Sequence, residues 1–273
     1  ADPDAADPDA ADPDAADPDA ADPDAADPDT RAQIAPEGSV RAGFNLANFM
    51  LVQRAPDGAL QGIAVDLATG IARALGRSMA PVCFDTPGEL AEAAQGGGLD
   101  LCFMAPDPAR ARGIRFSVPY LEVEATYLVP PQSALESIAA ADSAGVRIGA
   151  VRGSGYALFL ERHLRAATLV LADTHEASLR QFDAERLDAL AGLRPRLAEF
   201  VQRVPGARLL EGGFTAVPQA IGLPEDRRAA LAYVDAFLRR TVADGRLEAL
   251  IEHHGLQQRC RVPALAARKP DRA

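Results

Sequence analysis

From Val40 onward the chain alternates short apolar runs with longer stretches in which apolar residues recur every three or four positions. Val40-Arg-Ala-Gly-Phe44 predicts a strand, Pro56-Asp57-Gly58 a turn, and Ile63 to Leu75 a helix that stops at Gly76. A second strand is predicted over 81–84, a helix over 87–95 closed by three glycines, and a third strand over 99–104. After Pro130-Pro131 the pattern restarts, with strands over 145–151, 168–172 and 187–192 separated by helices over 156–164 and 175–182. A strand over 214–217, a long helix over 224–243 and a shorter one over 246–254 complete it. Such repeated strand-helix-strand units predict the α/β class with mostly parallel sheet. The order also predicts two α/β lobes, with the chain crossing between them near 126–130 and near 212–216.

The first 30 residues break this pattern. They are six copies of Ala-Asp-Pro-Asp-Ala, with Thr30 closing the last, and they hold twelve aspartates and no base. A proline every fifth residue removes a backbone donor from each helical turn, and alanine offers too little apolar surface for a core. The segment therefore reads as an extended, self-repelling tail rather than a calcium site, for which it lacks a turn glycine and a closed ligand set. It also carries the formal charge of −11: the remaining residues hold 28 basic and 27 acidic side chains, a net of +1. With bases and acids interspersed, the body shows no nucleic-acid footprint.

No apolar run reaches the ~18–20 residues of a membrane span. No basic start followed by an apolar stretch marks an export signal in this chain, so the expectation is either a cytoplasmic protein or a processed or engineered form whose export signal is gone. Cys83, Cys102 and Cys260 lack metal-ligand spacing and are expected to be small buried hydrophobes. His163, His175, His253 and His254 are scattered, read as surface groups, and no nucleophile motif accompanies them. Neither a metal nor another cofactor is expected.

Four segments in order resemble the polar amino acid-binding proteins of bacterial ABC importers, solute-binding protein family 3. They are Gly58-Ala-Leu-Gln-Gly-Ile-Ala-Val-Asp-Leu; Asp100 with Pro108-Ala-Arg110 and Phe116-Ser-Val-Pro-Tyr120; Gly145-Val-Arg-Ile-Gly-Ala-Val-Arg-Gly-Ser-Gly155; and Asp244-Gly-Arg-Leu with His254-Gly-Leu. The resemblance spans about 40–256. It implies a type II periplasmic-binding-protein-like fold, two α/β lobes joined by two crossing strands and closing on a small ligand like a hinged trap. The expected division is a tail over 1–36, a first lobe over 37–127 plus 215–262, a second over 128–214, and a C-terminal tail over 263–273. The implied setting is the periplasm, and the implied partners are a small anionic or zwitterionic ligand and the importer's membrane permease, with the protein itself a monomer.

The resemblance also nominates site residues. Arg110 matches the arginine that grips a ligand carboxylate, a task suited to its planar fork. Gly153-Ser154-Gly155 lies between a strand and a helix, where free amides and the helix dipole favour an anion. Family members usually place an acid after the second-lobe strand to pair with the ligand ammonium; here that register falls on Leu193, with Arg194 beside it. If Arg194 faces the cleft, the ligand is a carboxylate without an amine, or a dicarboxylate; if it faces solvent, an amine could meet Glu124. Asn45, Asn48 and Gln219 are further candidates to orient a polar ligand. The expected function is solute binding without covalent chemistry. The alternative is a dehydratase acting on a prephenate-type acid, with Glu124 as its proton donor; a sensor domain of a receptor is a third class.

Overall fold

The computed structural model of the chain describes residues 26–264. Its first element corrects the sequence reading, because helix α1 (Pro28–Ile34) falls inside the stretch assigned to the tail. The Asp27 carboxylate accepts the amides of Asp29 and Thr30, both at 3.0 Å, and Pro28 occupies the first turn, where its missing donor costs nothing. Where alanine gives way to Thr30 and then Ile34, the segment gains side chains it can bury, and both are buried. The earlier repeats and the end of the C-terminal tail lie outside the described residues.

The first lobe runs through β1 (Ser39–Asn45), a small hairpin of β2 (Gln53–Arg54) and β3 (Leu60–Gln61), α2 (Ile63–Ala74), β4 (Ser78–Phe84), α3 (Pro87–Gln95) and β5 (Leu101–Met104). Helix α2 buries Ile63, Leu67 and Ile71, the three-to-four spacing that predicted it. Helix α3 starts on a capping box between Thr86 and Glu89. Strand β1 pairs in parallel with both β4 and β5. Asp100, fully buried just before β5, accepts the Arg41 amide at 2.9 Å and the guanidinium groups of Arg41 and Arg227. Burial alone would raise its pKa, but these bonds outweigh that and hold it below the usual carboxylate value.

A single 3-10 turn (Pro108–Arg110) and β6 (Ile114–Phe116) lead into β7 (Leu121–Val129), the first crossing. The second lobe follows: α4 (Ile138–Ala141), β8 (Arg147–Val151), α5 (Gly155–His163), β9 (Thr168–Ala172), α6 (His175–Ala184), β10 (Ala189–Leu193), α7 (Arg194–Val201) and β11 (Arg208–Leu209). Strand β8 pairs in parallel with β9 and β10. The return crossing, β12 (Thr215–Pro224), is longer than the predicted strand, and α8 (Arg228–Ala243) and α9 (Arg246–His253) then pack on the first lobe.

The two crossings pair antiparallel with each other, Thr215 opposite Ala125 through Gln219 opposite Leu121. At the next residue β12 changes partner: Ala220 lies opposite Met104 of β5. One continuous path, β4-β1-β5-β12-β7-β10-β8-β9, thus carries the sheet from one lobe into the other. Arg261 adds an isolated bridge to Glu122 of β7, with reciprocal amide bonds of 2.8 and 3.0 Å. Separate apolar cores fill the two lobes, one around Phe44, Ile71 and Phe237, another around Ile148, Tyr156 and Leu160. Among the described residues, no helix is long and apolar enough to cross a membrane.

Candidate functional site

The lobes meet around a mostly apolar cavity of about 70 Å³. Its first-lobe wall comes from the loop after β1, the start of α3 and the end of β5; its second-lobe wall comes from the starts of α5, α6 and α7, with β12 closing the back. Among the described residues, three side chains make polar contacts from one lobe to the other. Arg110 Nη2 donates to the Gly153 carbonyl. Arg162 of α5 meets Asp107 at 2.6 Å. Arg196 of α7 donates to the Ala47 carbonyl at 3.3 Å and lies over the Phe49 ring, 4.2 Å from its centroid.

Arg110 is only 4% exposed and donates to the Ala105 carbonyl at 2.7 Å, yet no acid pairs with it among the described residues. Asp107 is nearby but engaged with Arg162 and with the Ala109 amide. Burial lowers the Arg110 pKa, partly opposed by Asp107, and the guanidinium remains charged. Its described partners are thus backbone carbonyls alone, an incomplete set for a buried cation.

Ser154 caps α5: its hydroxyl accepts the Ala157 amide at 3.2 Å and donates to the Val151 carbonyl at 2.7 Å. Its side chain is thereby occupied, and the amides of Gly155 and Tyr156, which have no acceptor within the helix, are the donors this terminus can offer. A Cβ on Gly155 would stand 2.9 Å from both the Ala105 Cβ and the Val217 Cγ1, so glycine there permits close approach of the lobes. Asn45 folds its carboxamide back onto the Ala47 amide at 3.0 Å, while Asn48 lines the cavity from the same loop. Gln219, 3% exposed on β12, also lines it, and its carboxamide has no hydrogen-bond partner among the described residues.

Arg194 and Glu124 are placed elsewhere, which corrects both alternatives drawn from the sequence. Arg194 donates to Glu124 at 3.1 and 2.7 Å, and to the carbonyls of Leu210 and Gly212, on the opposite side of the crossing strands from the cavity. The reason is local geometry: Leu193, the end of β10, faces the cavity, so its immediate neighbour faces away. The residue that returns to the cavity is Arg196, three positions on along α7, on the same helical face as Leu193. Glu124, bound to Arg194, does not line the cavity and is displaced from the proton-donor role considered for it.

Three cavity groups were not singled out in the sequence. One is Arg196, whose Nη1 pairs with Glu199 at 2.8 Å and whose buried Nε has no partner. A second is Tyr156, whose buried hydroxyl lies beside the Ser154 side chain and the Val151 backbone; burial outweighs these neighbours and pushes its pKa up to about 12, so it keeps its proton. The third is His175, expected at the surface but lining the cavity, where burial, reinforced by the Arg196 charge, pushes its pKa down to about 4 and leaves it neutral at pH 7. His254 also departs from expectation, bonding Asp66 at 2.6 Å. Of the cysteines Cys102 is buried, while Cys83 and Cys260 are partly exposed, and all three are free thiols. No cluster of three or more His, Cys, Asp or Glu side chains able to hold a metal occurs among the described residues.

Two α/β lobes joined by two antiparallel crossings around an interlobe cavity define the type II periplasmic-binding-protein fold. Residues 41–257 match the model of the bacterial extracellular solute-binding proteins, family 3, and the chain belongs to that family. Among solved structures, it resembles the L-cysteine solute receptor of Neisseria gonorrhoeae, with 21% identity, 83% of this chain and 94% of that chain covered, and a TM-score of 0.70. It also resembles the amino acid ABC transporter substrate-binding protein AbpA of Streptococcus pneumoniae bound to L-arginine (20% identity, 83% and 98% covered, TM-score 0.68). A third likeness is to the ancestral amino acid-binding protein AncCDT-1, a precursor of cyclohexadienyl dehydratase (21% identity, 82% and 98% covered, TM-score 0.68). At such identities the likeness speaks to the fold. A curated relative, membrane-bound lytic murein transglycosylase F of Ectopseudomonas mendocina (strain ymp), is 32% identical over 153 residues, 54% of this chain. The chain spans about a third of that relative's length, 31%.

Proposed function

We infer that the chain is the solute-binding component of an ABC importer, trapping a small carboxylate-bearing metabolite between its lobes in the periplasm and presenting the closed form to a membrane permease. The supporting observation is Arg110: a buried guanidinium at the cavity, bonded to carbonyls from both lobes and lacking an acid. Such a group is costly in the empty protein and satisfied when a carboxylate arrives, so the solute supplies the missing counterion. Family membership and the amino acid-binding proteins among the structural likenesses support the same reading.

The test is a melting screen of the purified chain against amino acids, 2-oxo acids, 2-hydroxy acids and dicarboxylates, followed by Arg110→Met. A solute at 100 times its Kd should stabilise the fold by about 2.7 kcal/mol. Arg110→Met should keep or raise the melting temperature of the solute-free protein, because it removes an uncompensated charge, and should abolish the solute-induced rise. A full rise in the variant would refute the role of Arg110.

The stretch of 32% identity to a murein transglycosylase favours a second reading, in which the same cavity serves as a recognition module within a larger envelope protein. Binding of cell-wall fragments rather than free metabolites in the same screen would select it.

A further inference from the structure

The cavity between the lobes is lined by cationic and neutral polar groups, with no acidic side chain among the described lining residues. The acids that flank its lining positions are engaged elsewhere. Glu89 accepts the amides of Thr86 and Asp85. Asp107 holds Arg162, Glu176 holds Arg203 through two bonds of 2.7 Å, and Glu199 holds Arg196. A solute ammonium brought here would lose its water and meet the unpaired Arg110 and the Glu199-bound Arg196 with no free carboxylate to replace it, so both desolvation and charge act against it.

Meanwhile two polar groups on residues that line the same cavity lack partners among the described residues: the Gln219 carboxamide and the Arg196 Nε–H. Gln219 both donates and accepts, and Arg196 donates. A neutral oxygen on the solute satisfies groups of this kind, whereas leaving them unpaired costs stability in the closed state. Around them Phe44, Phe49, Leu90, Phe103 and Leu193 present carbon surface.

Resting on the solute-binding reading above, we propose that the solute is a 2-hydroxy or 2-oxo carboxylic acid with an apolar body and no ammonium group, its carboxylate on Arg110 and its neutral oxygen on Gln219. The specificity is built from what the cavity omits: where β10 runs into α7 it presents the apolar Leu193 and then the cation Arg196, and no carboxylate.

Isothermal titration of the full chain with three matched sets tests this: pyruvate, lactate and alanine; 4-methyl-2-oxopentanoate, 2-hydroxy-4-methylpentanoate and leucine; phenylpyruvate, 3-phenyllactate and phenylalanine. In the best-bound set the oxo or hydroxy acid should bind on the order of 100-fold more tightly than the amino acid. Gln219→Glu, which places a carboxylate in the cavity, should shift that ratio at least about tenfold towards the amino acid. An amino acid binding as tightly as its oxo and hydroxy counterparts overturns this inference and leaves solute binding standing. Absence of binding by every carboxylate, amino acids included, overturns both.

Discussion

Gly155→Ala drives a wedge between the lobes where Ala105 and Val217 pack onto the edge of the second-lobe core. Gly155 is the first residue of α5, is not among the positive-φ glycines, and meets the first lobe at Ala105 and the second crossing at Val217. An alanine Cβ would stand 2.9 Å from the Ala105 Cβ, an atom fixed by its own backbone, and 2.9 Å from Val217 Cγ1. Ordinary contact between carbons begins near ~3.5 Å, so the lobes must part by roughly half an ångström or more. Overpacking of this kind costs about 1–3 kcal/mol, and the share that arises at Ala105 of the first lobe falls on the closed arrangement. At about 1.4 kcal/mol per tenfold, affinity for the solute should drop roughly 5- to 150-fold. The extra methyl also favours the helix by up to about 1 kcal/mol, but open and closed forms share that gain. Titration calorimetry beside a melting curve of the solute-free protein separates the two effects. Affinity within twofold of the parent, with an unchanged melting temperature, would refute the idea that close approach at Gly155 governs closure.

Asp100→Ala should destabilise the first lobe by about 3–5 kcal/mol, because Arg41 and Arg227 lose their buried partner; chemical denaturation measures it. Since the folded-state pKa of Asp100 lies below its unfolded value, its contribution is present above the ordinary carboxylate range and is lost as pH falls through the folded value, a component that Asp100→Asn should remove from the pH profile. Arg162→Ala opens the rim contact with Asp107; as Arg162 is 42% exposed, affinity should fall no more than about fivefold, with a faster off-rate in stopped-flow traces. His175 has a folded pKa of about 4, below its unfolded value, so its neutral form stabilises the fold above pH ~6.5 and the benefit is lost as pH falls towards 4. Melting curves across that window should flatten in His175→Gln.

The α/β order was legible because its helices carry their burial pattern on the surface of the sequence, as α2 does through Ile63, Leu67 and Ile71. Helix α1 was hidden by the composition of the repeat around it, since the signal lay in one departure, Thr30, and in Ile34 beyond. Helix α7 is absent from the predicted elements although Pro195 near a helix start is a known marker. That omission misplaced the site. Once α7 is recognised, Leu193 and Arg196 share a face and Arg194 does not, which assigns the cationic wall without coordinates. Tyr156 and His175 could not be found this way, because each sits at the start of a helix whose direction into the cavity depends on how β8, β9 and β10 pair.

Gln219 is the last residue at which β12 pairs with β7 before it turns to β5. A group at a pivot travels least when the two sides swing, whereas Arg110 and Arg196, carried outward on either side, travel with their lobes. In the proposed opening motion Gln219 would therefore act as a stationary landing point, there before closure as well as after it. Recognition could begin on one fixed carboxamide while both cations are still withdrawn, and the charged contacts would then register only a solute already in place.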